Sequence, residues 1–114
     1  MFELDDDGYP TDETLDYIAT WKPNTEHETR QQYFDLFEGI KSVWWYAWWG
    51  WKEQIEPHLY RKSKMVRKYR LSTGGWSGNE SLIRAMESNL WIHTKWVQSR
   101  RGGHHIYELE LNNE

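Results

Sequence analysis

The chain has 114 residues, no cysteine, nine tryptophans, and 14 lysines and arginines against 18 aspartates and glutamates. That length suits one domain, and the lack of cysteine excludes disulfides, a thiolate nucleophile, zinc fingers and iron–sulfur clusters. The acidic opening Met1 to Asp7 is unlike a basic-then-apolar secretory signal, and no apolar run approaches the ~20 residues of a bilayer span, so a cytoplasmic protein without a membrane partner is expected.

Charge is unevenly spread. Residues 1–38 carry eleven acids and two bases, residues 39–106 four acids and twelve bases, and the tail three more acids. The densest basic stretch runs from Arg61 to Arg70, with six bases in ten residues. Such a stripe can attract nucleic acid, with Trp76 as a stacking ring. Equally, it can be the solvated side of a strand or lie under the acidic N-terminal third.

In chain order, Tyr9-Pro10-Thr11-Asp12-Glu13 reads as a turn into a first helix. Thr11 is its N-cap, and two acids occupy the first turn, where the helix dipole favours them. Leu15, Ile18 and Ala19 share a face, and Lys22-Pro23-Asn24 ends the helix. Tyr33, Phe37, Ile40, Trp44, Trp48 and Trp51 recur at spacings of three and four, which predicts a second helix from Thr29 to about Glu53. Gly39 and Gly50 weaken that helix, and the aromatic run from Val43 to Trp51 also suits a buried strand.

Beyond Pro57 the pattern turns to strands. Met65 to Leu71 alternates Met65, Tyr69 and Leu71 with charged residues, as a strand buried on one face does. The polar glycine loop Ser72 to Glu80 follows, then a helix from Glu80 to about Asn89 with Leu82, Ile83 and Met86 inward. Leu90 to Ser99 and His104 to Leu111 read as two strands joined by Arg100-Arg101-Gly102-Gly103, whose glycines supply the positive φ of a tight turn. The expected class is α+β: two N-terminal helices, then β-α-β-β, with a small three-stranded, mainly antiparallel sheet packed by helices on one face.

The chemistry concentrates in the two loops. Thr73, Gly74, Gly75, Trp76, Ser77, Gly78 and Asn79 lie between strand and helix, where unpaired amides and the helix dipole make an anion site. The segment lacks the Gly-Lys-Ser/Thr ending of a P-loop, and Ser77 with Glu80 can satisfy the same amides as a capping box. Arg100, Arg101, Gly102, Gly103 and His104 suit bidentate capture of phosphate. If the loops converge they form one concave site for a phosphorylated small molecule such as a nucleotide, with Trp76 stacking on it. A hydrolase is the alternative: Gly75-Trp76-Ser77-Gly78 resembles a nucleophile elbow, and Ser77 with His104 or His105 and Glu80 makes a triad only if the loops meet. No metal or cofactor is expected, since adjacent His104 and His105 point to opposite faces of a strand.

Trp44, Trp45, Trp48, Trp49 and Trp51 cannot all face inward on one helix. Trp44, Trp48 and Trp51 are assigned to the core. Trp45 and Trp49 share another face, offered to a host protein or to a second copy in a homodimer.

Arg70 to Glu80 and Trp96 to His105, with the opening Asp7-Gly8-Tyr9-Pro10-Thr11, resemble a family of small uncharacterised accessory proteins of tailed bacteriophages. The resemblance implies a phage origin and a role in the infected cell, such as countering host defence by sequestering a ligand or occluding a host protein. It implies no enzymatic activity.

Overall fold

Thr11 caps the first helix, α1 (Asp12–Thr20), from an extended backbone, its hydroxyl oxygen accepting from the Thr14 amide at 3.2 Å. The structure, a computed structural model, describes residues 2–58, 60–61 and 63–111; Lys62 of the basic stretch and Glu114 of the acidic tail lie outside them. The second helix, α2 (Arg30–Ser42), buries Tyr33, Leu36, Phe37 and Ile40.

The helix expected to reach Glu53 ends eleven residues earlier, at Ser42. Tyr46 adopts the left-handed conformation at φ 56°, and a single turn, α3 (Ala47–Gly50), leads straight into a strand, β1 (Trp51–Pro57). Helical spacing in the aromatic run is coincidental, because an apolar stretch this short satisfies both periods. The tertiary context decides between them, since β1 pairs along its whole length with β2 (Met65–Ser72), from Trp51 opposite Leu71 to Pro57 opposite Met65.

A fourth helix, α4 (Ser77–Glu87), buries Leu82, Ile83 and Met86 and begins three residues before the expected Glu80. Leu90 to His93, expected as strand, is instead a helical turn, α5 (Leu90–His93). The buried side chain of Asn89 imposes it, accepting from the Trp91 and Ile92 amides while donating to the Ile18 and Trp21 carbonyls at the end of α1. Strands β3 (Trp96–Arg100) and β4 (His104–Glu110) complete the chain, with a bulge at Val97.

The fold is α+β, but its sheet has four strands in the order β1-β2-β4-β3, all antiparallel, rather than three. Odd-numbered residues Trp51, Tyr69, Leu71, Tyr107 and Leu109 join Ile18, Phe37, Ile40, Leu82, Met86 and Ile92 in one core. Because strand side chains alternate, the helices cover that face and the even-numbered residues of β1, β2 and β4 point out from the other. Among the described residues no helix is long and apolar enough to cross a membrane.

Burial, helped by the negative charge of Glu53, pushes the Tyr69 phenol up to about 12, and burial also raises Tyr107. Both stay neutral in the folded chain after unfolded tyrosines have begun to ionise at about 10. The stabilisation contributed by these two tyrosines is therefore full below about pH 10 and is lost as pH climbs toward 12. Thermal midpoints measured by circular dichroism are expected to fall across that window, and to fall less steeply in Tyr69→Phe. Parallel profiles for the two proteins would contradict this account.

Candidate functional site

Strand pairing arranges the open face in rows that cross the sheet. Lys52, Arg70, Ile106 and Gln98 stand in register on β1, β2, β4 and β3, and Ser72, His104 and Arg100 form the next row toward the β3–β4 hairpin. These two rows carry three permanent cations, one histidine and no carboxylate. At the other end of the same face stand Glu56, Glu108 and Glu110, so its charge changes sign along the strands.

Carboxylates on β1 and β4 neutralise much of the basic stretch. Lys68 bridges Glu56 at 3.3 Å and Glu108 at 3.1 Å, Lys64 meets Glu110 at 3.6 Å, and Arg67 meets Glu53 at 3.7 Å while lying 4.9 Å over the Phe34 ring. The partners thus come from neighbouring strands, not from the acidic N-terminal third. Arg70 also reaches Glu56, at 3.2 Å. Burial opposes ionisation of Glu56, but Arg70 and Lys68 together outweigh it and hold its pKa below the ordinary value. Among the described residues, Lys52, Arg100 and Arg101 have no carboxylate within ion-pair distance. A groove of about 630 Å³ lies over this end, lined by Lys52, Lys68, Arg70, Gln98, Arg100 and His104, with Trp49 as one wall.

The two polar loops meet at this end of the sheet. The Thr73 amide donates to the Gly103 carbonyl at 3.0 Å, and Ser72 Oγ lies 2.8 Å from His104 Nδ1. Gly102 and Gly103 take the positive φ their hairpin requires, at 87° and 81°. Arg100, Arg101, Gly102 and His104 are exposed, as are Gly74, Gly75 and Ser77, while Thr73, Gly78 and Asn79 are buried.

Three loop residues are built into the fold rather than turned to a ligand. Asn79, 1% exposed, accepts from the Trp45 amide at 2.8 Å and donates to the Trp45 carbonyl at 3.0 Å and the Thr73 carbonyl at 3.4 Å. It clamps the aromatic segment onto the glycine loop. Trp76, expected as a stacking platform, is already stacked by Tyr9 at 4.7 Å and Trp45 at 4.4 Å, and Tyr46 extends the column at 4.0 Å from Trp45. Gly78 packs under the Trp76 indole beside Pro10.

The expected capping box does not form. Trp76 occupies the N-cap position of α4 without a side-chain cap, because the helix starts at Ser77 itself. Ser77 Oγ instead donates to the Tyr9 hydroxyl at 3.5 Å. His104 and His105 are held by Ser72 and Ser99, each at 2.8 Å, on opposite faces of β4. Burial, with an opposing contribution from Glu87, lowers the His105 pKa and favours its neutral form. Ser77 is thus bonded to Tyr9 and to neither histidine, so the expected nucleophile–base pair of Ser77 with His104 or His105 is not formed.

The tryptophans divide differently from the helix reading. Trp44 and Trp51 are buried, but Trp48, assigned to the core, is 75% exposed. Trp45 and Trp49 do share a surface, though through the left-handed turn at Tyr46 and not a continuous helix face. With Tyr46, Trp48, Thr73 and Gly74 they line an apolar pocket of about 360 Å³. Trp49 rests on Gly74, whose φ of 63° and lack of a side chain admit the ring. The same Trp49 separates this pocket from the cationic groove.

Lys52 and Trp48 escape the sequence reading because both belong to the segment read as helix. The alternation Lys52, Gln54, Glu56 against Trp51, Glu53, Ile55 is the signal that could have found them. No protein-family model, no curated protein and no solved structure matches this chain.

Proposed function

We propose that this chain is a non-enzymatic binding protein for a phosphorylated ligand, held at the hairpin end of the open sheet face. The observation that carries the reading is the pair of rows with Lys52, Arg70, Arg100 and His104, in which Arg70 alone has a carboxylate partner, Glu56 from the acidic end, among the described residues. Arg100 is the centre of this reading, since its guanidinium fork suits paired phosphate oxygens and it has no competing acid within ion-pair distance. Ser72 and Gln98 add neutral polar groups beside it. In the infected-cell setting implied by the resemblance to phage proteins, the chain acts stoichiometrically by sequestering its ligand, which counters a host defence that depends on that ligand.

Calorimetry with nucleotides tests the reading. Replacing Arg100 and Arg101 together by alanine is expected to weaken binding about 30-fold or more, from the loss of charge-assisted hydrogen bonds worth about 1.5–3 kcal/mol each. Both side chains are exposed, so the unfolding midpoint should stay within a few degrees of the unaltered chain. Unchanged affinity in the double variant would contradict the reading.

A further inference from the structure

We infer that the phosphorylated ligand is single-stranded nucleic acid, its backbone crossing the hairpin end of the open face and a base seated against Trp48 and Trp49. This rests on the phosphate-binding reading above and names the class of ligand.

The first ground is the spread of charge. Lys52, Arg70 and Arg100 sit on β1, β2 and β3, the first and last being the two edges of the sheet. Four strands span about 14 Å from edge to edge, which is more than one phosphate covers. A chain of phosphates laid across the strands meets all three cations in turn.

The second ground is the aromatic pocket at the end of that path. Trp48 and Trp49 are 75% and 51% exposed, an unusual state for the largest apolar side chains, and both line the pocket that shares the Trp49 wall with the groove. A base stacked there leaves its own phosphate over Lys52, whose ammonium is held beside the Trp48 carbonyl at 3.4 Å. Stacking on exposed rings beside a positive groove is how sequence-tolerant single-strand binding works, because every base offers a π face.

The third ground is shape. Free nucleotides are bound in clefts that bury most of the ligand. Here the cations line a groove that crosses the sheet from Lys52 on the β1 edge to Arg100 on the β3 edge, and the exposed rings project from its margin. Duplex keeps its bases stacked on one another and hidden from such rings, and no described helix enters a groove-reading position beside these cations.

The test is fluorescence anisotropy with a labelled oligomer of about 12 nucleotides, within the usual range of single-strand site sizes. Competition with inorganic pyrophosphate, a mononucleotide and the matching duplex uses the full chain, Trp48→Ala and Arg100→Ala. The expected result is that the oligomer outcompetes the mononucleotide, with a slope of log K against log salt of about −2 for three neutralised phosphates. Trp48→Ala is expected to weaken the oligomer about tenfold or more while leaving pyrophosphate unaffected, and Arg100→Ala to weaken both. Equal binding of oligomer and mononucleotide, tighter binding of duplex, or a Trp48→Ala protein indistinguishable from the original would overturn the single-strand inference and leave the phosphate reading standing. Failure of every phosphate-bearing probe to bind would overturn both.

Discussion

Replacing Asn79 by alanine is expected to destabilise the fold by about 2–4 kcal/mol, because it empties a fully buried position and leaves the Trp45 amide and carbonyl without the side chain that pairs them. The carboxamide serves the amide and the carbonyl of one residue, Trp45, together with the Thr73 carbonyl. It works as a side-chain substitute for a strand, fastening a segment that has left helical geometry and has not yet entered the sheet. For a chain of this length the cost corresponds to a fall of roughly 10–20 °C in the unfolding midpoint. Asn79→Asp should fare no better: it keeps the acceptor for the Trp45 amide, loses the donor for the Trp45 carbonyl and buries a charge. A midpoint unchanged in circular dichroism for either variant would show that the aromatic segment is held by its ring column alone.

Gly50→Ala is the second large effect. Gly50 joins α3 to β1, and an added Cβ would stand 2.5 Å from the backbone carbonyl oxygen of Ser72 and 3.2 Å from the Trp44 indole nitrogen. That carbonyl belongs to β2, an inner strand, and cannot swing aside, so β1 must shift or the junction must open, at about 1–3 kcal/mol. Gly39→Ala makes a useful contrast. Its Cβ would overlap the Phe2 ring, but that side chain is only half-buried near the start of the chain and can rotate away. Thermal unfolding should therefore show Gly50→Ala well below Gly39→Ala, and the reverse order would contradict the packing described for the junction.

What the sequence discloses and what it hides follow from where the deciding interaction lies. The Thr11 cap, the inward face of α4, the alternation of β2 and the glycine hairpin all depend on residues close to one another in the chain. Their patterns are therefore readable locally. β1 is hidden because its apolar residues carry helical spacing, and only pairing with β2, from Trp51 opposite Leu71 to Pro57 opposite Met65, selects the strand. The missed strand leaves the sheet one short, removes Lys52 from view and assigns Trp48 to the core. Similarly, the loop composition marks where polar groups collect, but not which of them fold inward. Trp76 and Asn79 are consumed by Tyr9 and Trp45, partners remote in sequence, and the cations opposite them can be counted only once the register of four strands is known.

The strain at Tyr46 belongs to the same account. A left-handed residue with a bulky side chain costs about 1–2 kcal/mol, and it persists because the Trp45 ring stacks on Tyr46 while Asn79 fixes the Trp45 backbone before the turn. Its consequence is the outward projection of Trp48 and Trp49 beside the groove.

The most direct test of a phosphate-binding open face is a residue-resolved nuclear magnetic resonance titration of the chain with a short phosphorylated oligonucleotide. The account predicts that amide shifts concentrate at Lys52, Arg70, Ser72, Arg100 and His104, with the Trp48 and Trp49 indole signals moving in step, Glu56 following its partner Arg70, and Glu110 at the far end unmoved. Shifts confined to other surfaces, or none at saturating ligand, would contradict it.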